Sequence, residues 1–114
     1  MFIIGIKEKY KITYSKHVAT LVSFTIEYRG RSRAEISKFF RDFYGYESFS
    51  HYGRYRSRKK GFLDNVKFIR YSKGIFMIKK EDEKTVLEYL RSRGAKVSNW
   101  DVIPKDDEMK LLQL

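Results

Sequence analysis

Thr20-Leu21-Val22-Ser23-Phe24-Thr25-Ile26-Glu27-Tyr28 alternates: Val22, Phe24, Ile26 and Tyr28 are apolar, while Ser23, Thr25, Glu27 and the following Arg29 take the odd positions. A period of two puts one set of side chains on each side of an extended chain, the pattern of a half-buried strand. Immediately after it, Ser32-Arg33-Ala34-Glu35 forms a capping box, in which a hydroxyl and a carboxylate satisfy free amides at a helix start. Ile36, Phe39, Phe40 and Phe43 then recur at helical spacing, and Gly45 is placed to end the run, so the spacing predicts a helix over 33–44. A second helix follows the same grammar. Asp82 is its cap, Val86, Leu87, Tyr89 and Leu90 are its apolar stripe, and Gly94 ends it after Arg91 and Arg93.

Between these helices, strands are expected from Tyr46 to about Arg56, Val66 to Tyr71 and Ile75 to Lys79, with a loop from Ser57 to Asn65. Ser72-Lys73-Gly74 is short enough for a hairpin, and a last strand from Lys96 to Ile103 is stopped by Pro104. The segment Ile3 to Tyr14 is β-rich but less regular, compatible with an earlier strand or with a degenerate helix followed by one. The order β, α, β, β, β, α, β implies an α+β fold: a mainly antiparallel sheet with two helices packed on one face and the other face open. The length of 114 residues predicts a single domain, 1–114.

Composition narrows the function classes. Hydrophobic residues make up 42% of the chain and aromatics 17%, enough to bury a core, which excludes a wholly disordered basic tail. Cysteine is absent, so disulfides, thiolate metal sites and cysteine nucleophiles are excluded, and with two histidines no metal or cofactor is expected. No apolar run reaches the roughly 18 residues a membrane helix needs, and Lys7, Glu8 and Lys9 interrupt the opening one. A soluble, cytoplasmic protein with no membrane partner is expected. The net charge of +11 is concentrated: residues 1–80 hold 19 Lys/Arg and 6 Asp/Glu, residues 81–114 hold 6 and 8. A one-signed excess points to a polyanionic partner, nucleic acid first.

The densest cationic stretch is Tyr46 to Lys60, where Arg54, Arg56, Arg58, Lys59 and Lys60 follow Tyr52 without an intervening acid. On one continuous strand the even positions Tyr46, Ser48, Ser50, Tyr52, Arg54, Arg56 and Arg58 share a face, and Phe49 and Tyr55 point to the core. Arginine and lysine pair with phosphates, hydroxyls donate to them, and tyrosines stack on bases, while a two-stranded ribbon is narrow enough for the major groove. Arg29, Arg31 and Arg33 form a second cluster where free helix-start amides also face an anion. About six phosphate contacts would give a log–log salt slope near −5. Lys73-Gly74-Ile75-Phe76-Met77-Ile78 matches a ribonucleoprotein strand signature only loosely, and a plain hairpin is the better expectation.

Strand Leu21–Tyr28, helix Ala34–Tyr44, a strand pair and helix Lys84–Leu90 together resemble the body of a LAGLIDADG homing endonuclease repeat. The opening Phe2-Ile3-Ile4-Gly5-Ile6-Lys7-Glu8-Lys9-Tyr10 is similar to the start of that family's signature helix, with Gly5 in place of its glycine. The later glycine is missing and Tyr10 falls where the metal-binding acid would sit. The resemblance implies DNA binding through a saddle of antiparallel sheet, with cleavage lost.

Catalytic patterns are sparse. Asp101, Asp106, Asp107 and Glu108 are more simply a solvated acidic stretch than a magnesium site, and His51 and Tyr52, adjacent on a strand, would point to opposite faces. No glycine-rich phosphate loop or serine elbow is present. Asp106 to Leu114 is expected to form a short final helix, packed on its own domain or docked on a second subunit, which leaves a homodimer open. The expected function is non-catalytic nucleic-acid binding, with double-stranded DNA favoured over RNA. The alternatives are a divalent-metal DNA endonuclease and a structured-RNA or ribosome-associated module.

Overall fold

The computed structural model describes residues 2–3, 18–50 and 53–114. Strands are β1 (Phe2–Ile3), β2 (Ala19–Ile26), β3 (Tyr46–Ser50), β4 (Tyr55–Lys59), β5 (Phe68–Ser72), β6 (Ile75–Lys79) and β7 (Ala95–Ile103). Helices are α1 (Arg33–Tyr44), α2 (Glu83–Ser92) and α3 (Asp106–Leu112), with 3₁₀ turns at Phe62–Asn65 and Lys80–Asp82. The class is α+β, as the alternation and helical spacings require. The chain divides into two compact units, 27–66 and the remainder, so the second unit is inserted between β2 and β5.

The larger unit is a five-stranded antiparallel sheet in the order β1-β7-β2-β6-β5. Register places Thr20, Val22, Phe24 and Ile26 beside Phe76, Ile78 and Ala95 on one face, where all seven are buried. The α2 stripe of Val86, Leu87 and Leu90 is buried in the same unit. Asn99 donates to Glu83 at 2.8 Å, and Lys80 lies 2.7 Å from both Asp101 and Glu83, tying α2 to β7 on this face. These carboxylates raise the pKa of Lys80 and keep it charged.

The opposite face is open only in part. Leu112 of α3 joins Ala19, Met77 and Val102 in a buried cluster flanked by Leu21 and Ile69, and the Tyr71 hydroxyl donates to Glu108. Within this unit α2 and α3 thus lie on opposite faces of the sheet, a refinement of the expected single covered face. The Ser72–Gly74 hairpin is present. Gly74 is required there because a Cβ would stand 2.6 Å from the Phe24 carbonyl oxygen, and Phe76 is wholly buried, so the loose ribonucleoprotein match has no exposed ring. Phe2 and Ile3 pair with Ile103 and Val102. The rest of the Ile3 to Tyr14 segment, including Gly5, Glu8 and Tyr10, lies outside the described residues.

The smaller unit is built on α1. Ser32 caps it by accepting from the Glu35 amide at 3.2 Å, as the capping box predicts, and Gly45 ends it at φ +82°. Phe39 and Phe43 stack at 6.0 Å, and Phe43 stacks on Phe62 of the following 3₁₀ turn at 6.3 Å. Ile36, Phe43, Tyr44 and Leu63 are buried.

Candidate nucleic-acid interface

The stretch expected as one strand from 46 to 56 is a hairpin. Gly53 at φ +86° turns the chain, and β4 runs back through residues expected to be loop. The register pairs Tyr46 with Lys59, Glu47 with Arg58, Ser48 with Ser57, Phe49 with Arg56 and Ser50 with Tyr55. Arg56 and Arg58 therefore share their face with Glu47 and Phe49, not with Tyr46 and Ser48. Gly53 was the signal for this turn, since glycine alone takes positive φ without strain.

β3 and β4 form a two-stranded sheet of their own. Every residue from Gly53 to Lys60 is exposed. Phe49 and Tyr55, expected in the core, are 58% and 63% exposed, because no further strand or helix of this unit covers the ribbon. An isolated hairpin is marginal in water, and this one is anchored at its base. A Cβ on Gly61 would meet the Gly45 nitrogen at 2.1 Å, and one on Gly45 would meet the Lys59 carbonyl oxygen at 2.5 Å, so two glycines let the backbones close directly. Arg58 adds a clamp. Its Nη2 donates to the Tyr44 carbonyl at 2.9 Å and to the two Asp64 carboxylate oxygens at 3.0 and 3.2 Å. Asp64 also accepts from the Gly61 amide at 2.7 Å.

The candidate cations thus separate by role. Arg58 is spent on the anchor. Arg56 lies 5.6 Å above the Phe49 ring and 3.5 Å from Glu47, an exposed pair that exchanges readily. Arg54, Lys59 and Lys60 form no ion pair among the described residues; Arg54 stands at the ribbon's tip and Lys59 and Lys60 at its base. Tyr52 and His51 lie outside the described residues. Arg29 and Arg33 are exposed and Arg31 half-buried, at the opposite end of α1 from the ribbon. Twelve residues of helix put about 18 Å between those residues and the start of the ribbon. Part of the anion-binding capacity of that helix start is already used by Ser32 and Glu35.

One contributor was missed in the sequence. Arg41, in the last turn of α1, stacks over the Tyr46 ring at 5.0 Å. Its only sequence signal was its place five residues before Tyr46.

Among the described residues no three His, Cys, Asp or Glu side chains gather as a metal site. Asp101 is paired with Lys80. A depression is lined by Val18, Lys79, Lys80, Glu81, Gln113 and Leu114, with Lys79 and Glu81 3.8 Å apart. Among the described residues no helix is long and apolar enough to cross a membrane. Compared with known proteins, the chain matches no family model, no curated protein and no solved structure.

Proposed function

We propose that this protein is a non-catalytic nucleic-acid-binding protein, that double-stranded DNA is its preferred partner, and that the β3–β4 ribbon is its contact element. One observation carries the reading. The ribbon is a free two-stranded sheet with Arg54, Arg56, Lys59 and Lys60 exposed and Glu47 as its only acid among the described residues. Two strands are about 5 Å apart, and five residues extend roughly 17 Å, so the element fits a B-form major groove about 12 Å wide. The deep, narrow major groove of duplex RNA does not admit it, which is the physical ground for preferring DNA.

Three exposed cations, Arg54, Lys59 and Lys60, set the electrostatic contribution, with Arg58 engaged in the anchor and Arg56 paired with Glu47. Neutralising about three phosphates gives a slope of log K against log salt near −2.7, or roughly 40-fold weaker binding on going from 50 to 200 mM. Fluorescence anisotropy with a 20-base-pair mixed-sequence duplex measures this directly. Arg54→Ala, Lys59→Ala and Lys60→Ala together should flatten the slope by about 2.7. A salt-independent signal, or an unchanged slope in the triple variant, rejects the proposal. A duplex RNA of the same sequence binding more than about tenfold tighter would reject the DNA preference.

A further inference from the structure

The two faces of the ribbon are chemically unlike, and the difference indicates which one meets the bases. Directly paired residues on antiparallel strands point to the same side. Glu47, Phe49, Arg56 and Arg58 therefore form one face. This face is internally satisfied: Arg56 stacks on Phe49 and pairs with Glu47, and Arg58 turns inward to Tyr44 and Asp64. The other face carries Tyr46, Ser48, Ser50, Tyr55, Ser57 and Lys59. It has no acid, and Arg41 over the Tyr46 ring adds a cation at one end.

Resting on the DNA-binding reading above, we propose that this hydroxyl and tyrosine face lies against base-pair edges in the major groove, with the Glu47–Arg56 face turned to solvent. Ser48 and Ser57 stand opposite each other at the centre of the ribbon. A hydroxyl both donates and accepts, so these two read the groove edge of either base of a pair. Tyr46 and Tyr55 stand at diagonal ends, where their rings meet the C5-methyl groups that thymine presents only in the major groove. Lys59, with Arg54 at the tip and Lys60 at the base, reaches the flanking phosphates. The opposite orientation would press the Glu47 carboxylate towards the phosphates.

Two measurements on the full chain decide the orientation. A duplex with 5-iodouracil in place of thymine is irradiated in the complex and the adduct located by peptide mass spectrometry. The proposal expects the adduct on Tyr46 or Tyr55; an adduct on Phe49 overturns it. Separately, Ser57→Asp and Phe49→Asp add the same charge at exposed, nearly adjacent positions on opposite faces, so long-range electrostatics affects them equally. Anisotropy with the mixed-sequence duplex should show Ser57→Asp weakening binding at least about tenfold more than Phe49→Asp, with circular dichroism confirming that both fold. Equal effects, or a larger one for Phe49→Asp, overturn the face assignment while salt-dependent binding leaves the DNA reading standing. Absence of any duplex binding by the unmodified chain overturns both.

Discussion

Substitution of Arg58 by alanine asks whether the most engaged guanidinium of the ribbon is a brace or a phosphate ligand. Its Nη2 makes a charge-assisted contact to the Asp64 carboxylate and another to the Tyr44 carbonyl. Hydrogen bonds to charged groups are worth about 1.5–3 kcal/mol each. The Arg58 side chain is 49% exposed and that of Asp64 20%, so solvent screening roughly halves the pair's contribution. Truncation also leaves Asp64 with the Gly61 amide as its remaining donor among the described contacts. The expected loss is about 2 kcal/mol, which for a two-state transition of this size is a fall in Tm of roughly 8 °C by circular dichroism. In anisotropy titrations the salt slope of Arg58→Ala should stay within about 0.3 of the unmodified protein, whereas Lys60→Ala should lower it by about 0.9 with Tm unchanged. Arg58→Lys keeps the charge but ends one bond short of the Nη2 position from which all three contacts are made, and should recover less than half of the lost stability. If Arg58→Ala keeps its Tm and loses a full unit of slope, the division between anchoring and contacting cations is wrong.

Other outcomes follow from single contacts. Gly61→Ala places a methyl group 2.1 Å from the Gly45 nitrogen, a backbone atom that cannot yield, and should cost more than about 3 kcal/mol in urea unfolding, whereas Gly53→Ala meets nothing within 4 Å and should cost only its positive-φ strain of about 1 kcal/mol. Thr20 is fully buried and its hydroxyl has no partner among the described residues, so Thr20→Val, nearly isosteric, should stabilise by about 1 kcal/mol, and destabilisation would reveal a partner for that hydroxyl. Burial alone would raise the Glu108 pKa, but the Lys105 amide, the Tyr71 hydroxyl and the Lys105 charge outweigh it and hold the carboxyl below its ordinary value of 4.5. A depressed acid contributes stability above its unfolded pKa and loses it as pH falls through the folded one, so the increment should vanish on acidification below about pH 4.5 and be smaller in Tyr71→Phe. Partial burial and then the Glu108 bond raise the Tyr71 phenol above its ordinary 10.0, so its contribution is complete below pH 10 and should decline only in stronger alkali. Identical pH-stability profiles for Tyr71→Phe and the unmodified protein would contradict both assignments.

Much of the fold was legible because its determinants are local. The period-two run gave way at Ser32 to period 3.6, and both changes are written in consecutive residues. So are the capping box, the glycines after each helix and the 72–74 hairpin, and each stands where the spacing placed it. The charge excess was equally plain, and it is the ground for expecting a polyanionic partner. What the linear order could not supply was pairing. Whether 46–56 continues straight or folds back at Gly53 depends on the backbone contact of Gly45 with Gly61, sixteen positions apart, and on Arg58 finding Asp64 and Tyr44. That fold-back reassigns every side chain of β4 to a face, because a strand alternates and one turn reverses the alternation. Five cations that look equivalent in a row thereby become one anchor, one stacked pair and three free ends. Composition determines how much positive charge this protein carries; only long-range closure of the chain decides which of those charges still face outward.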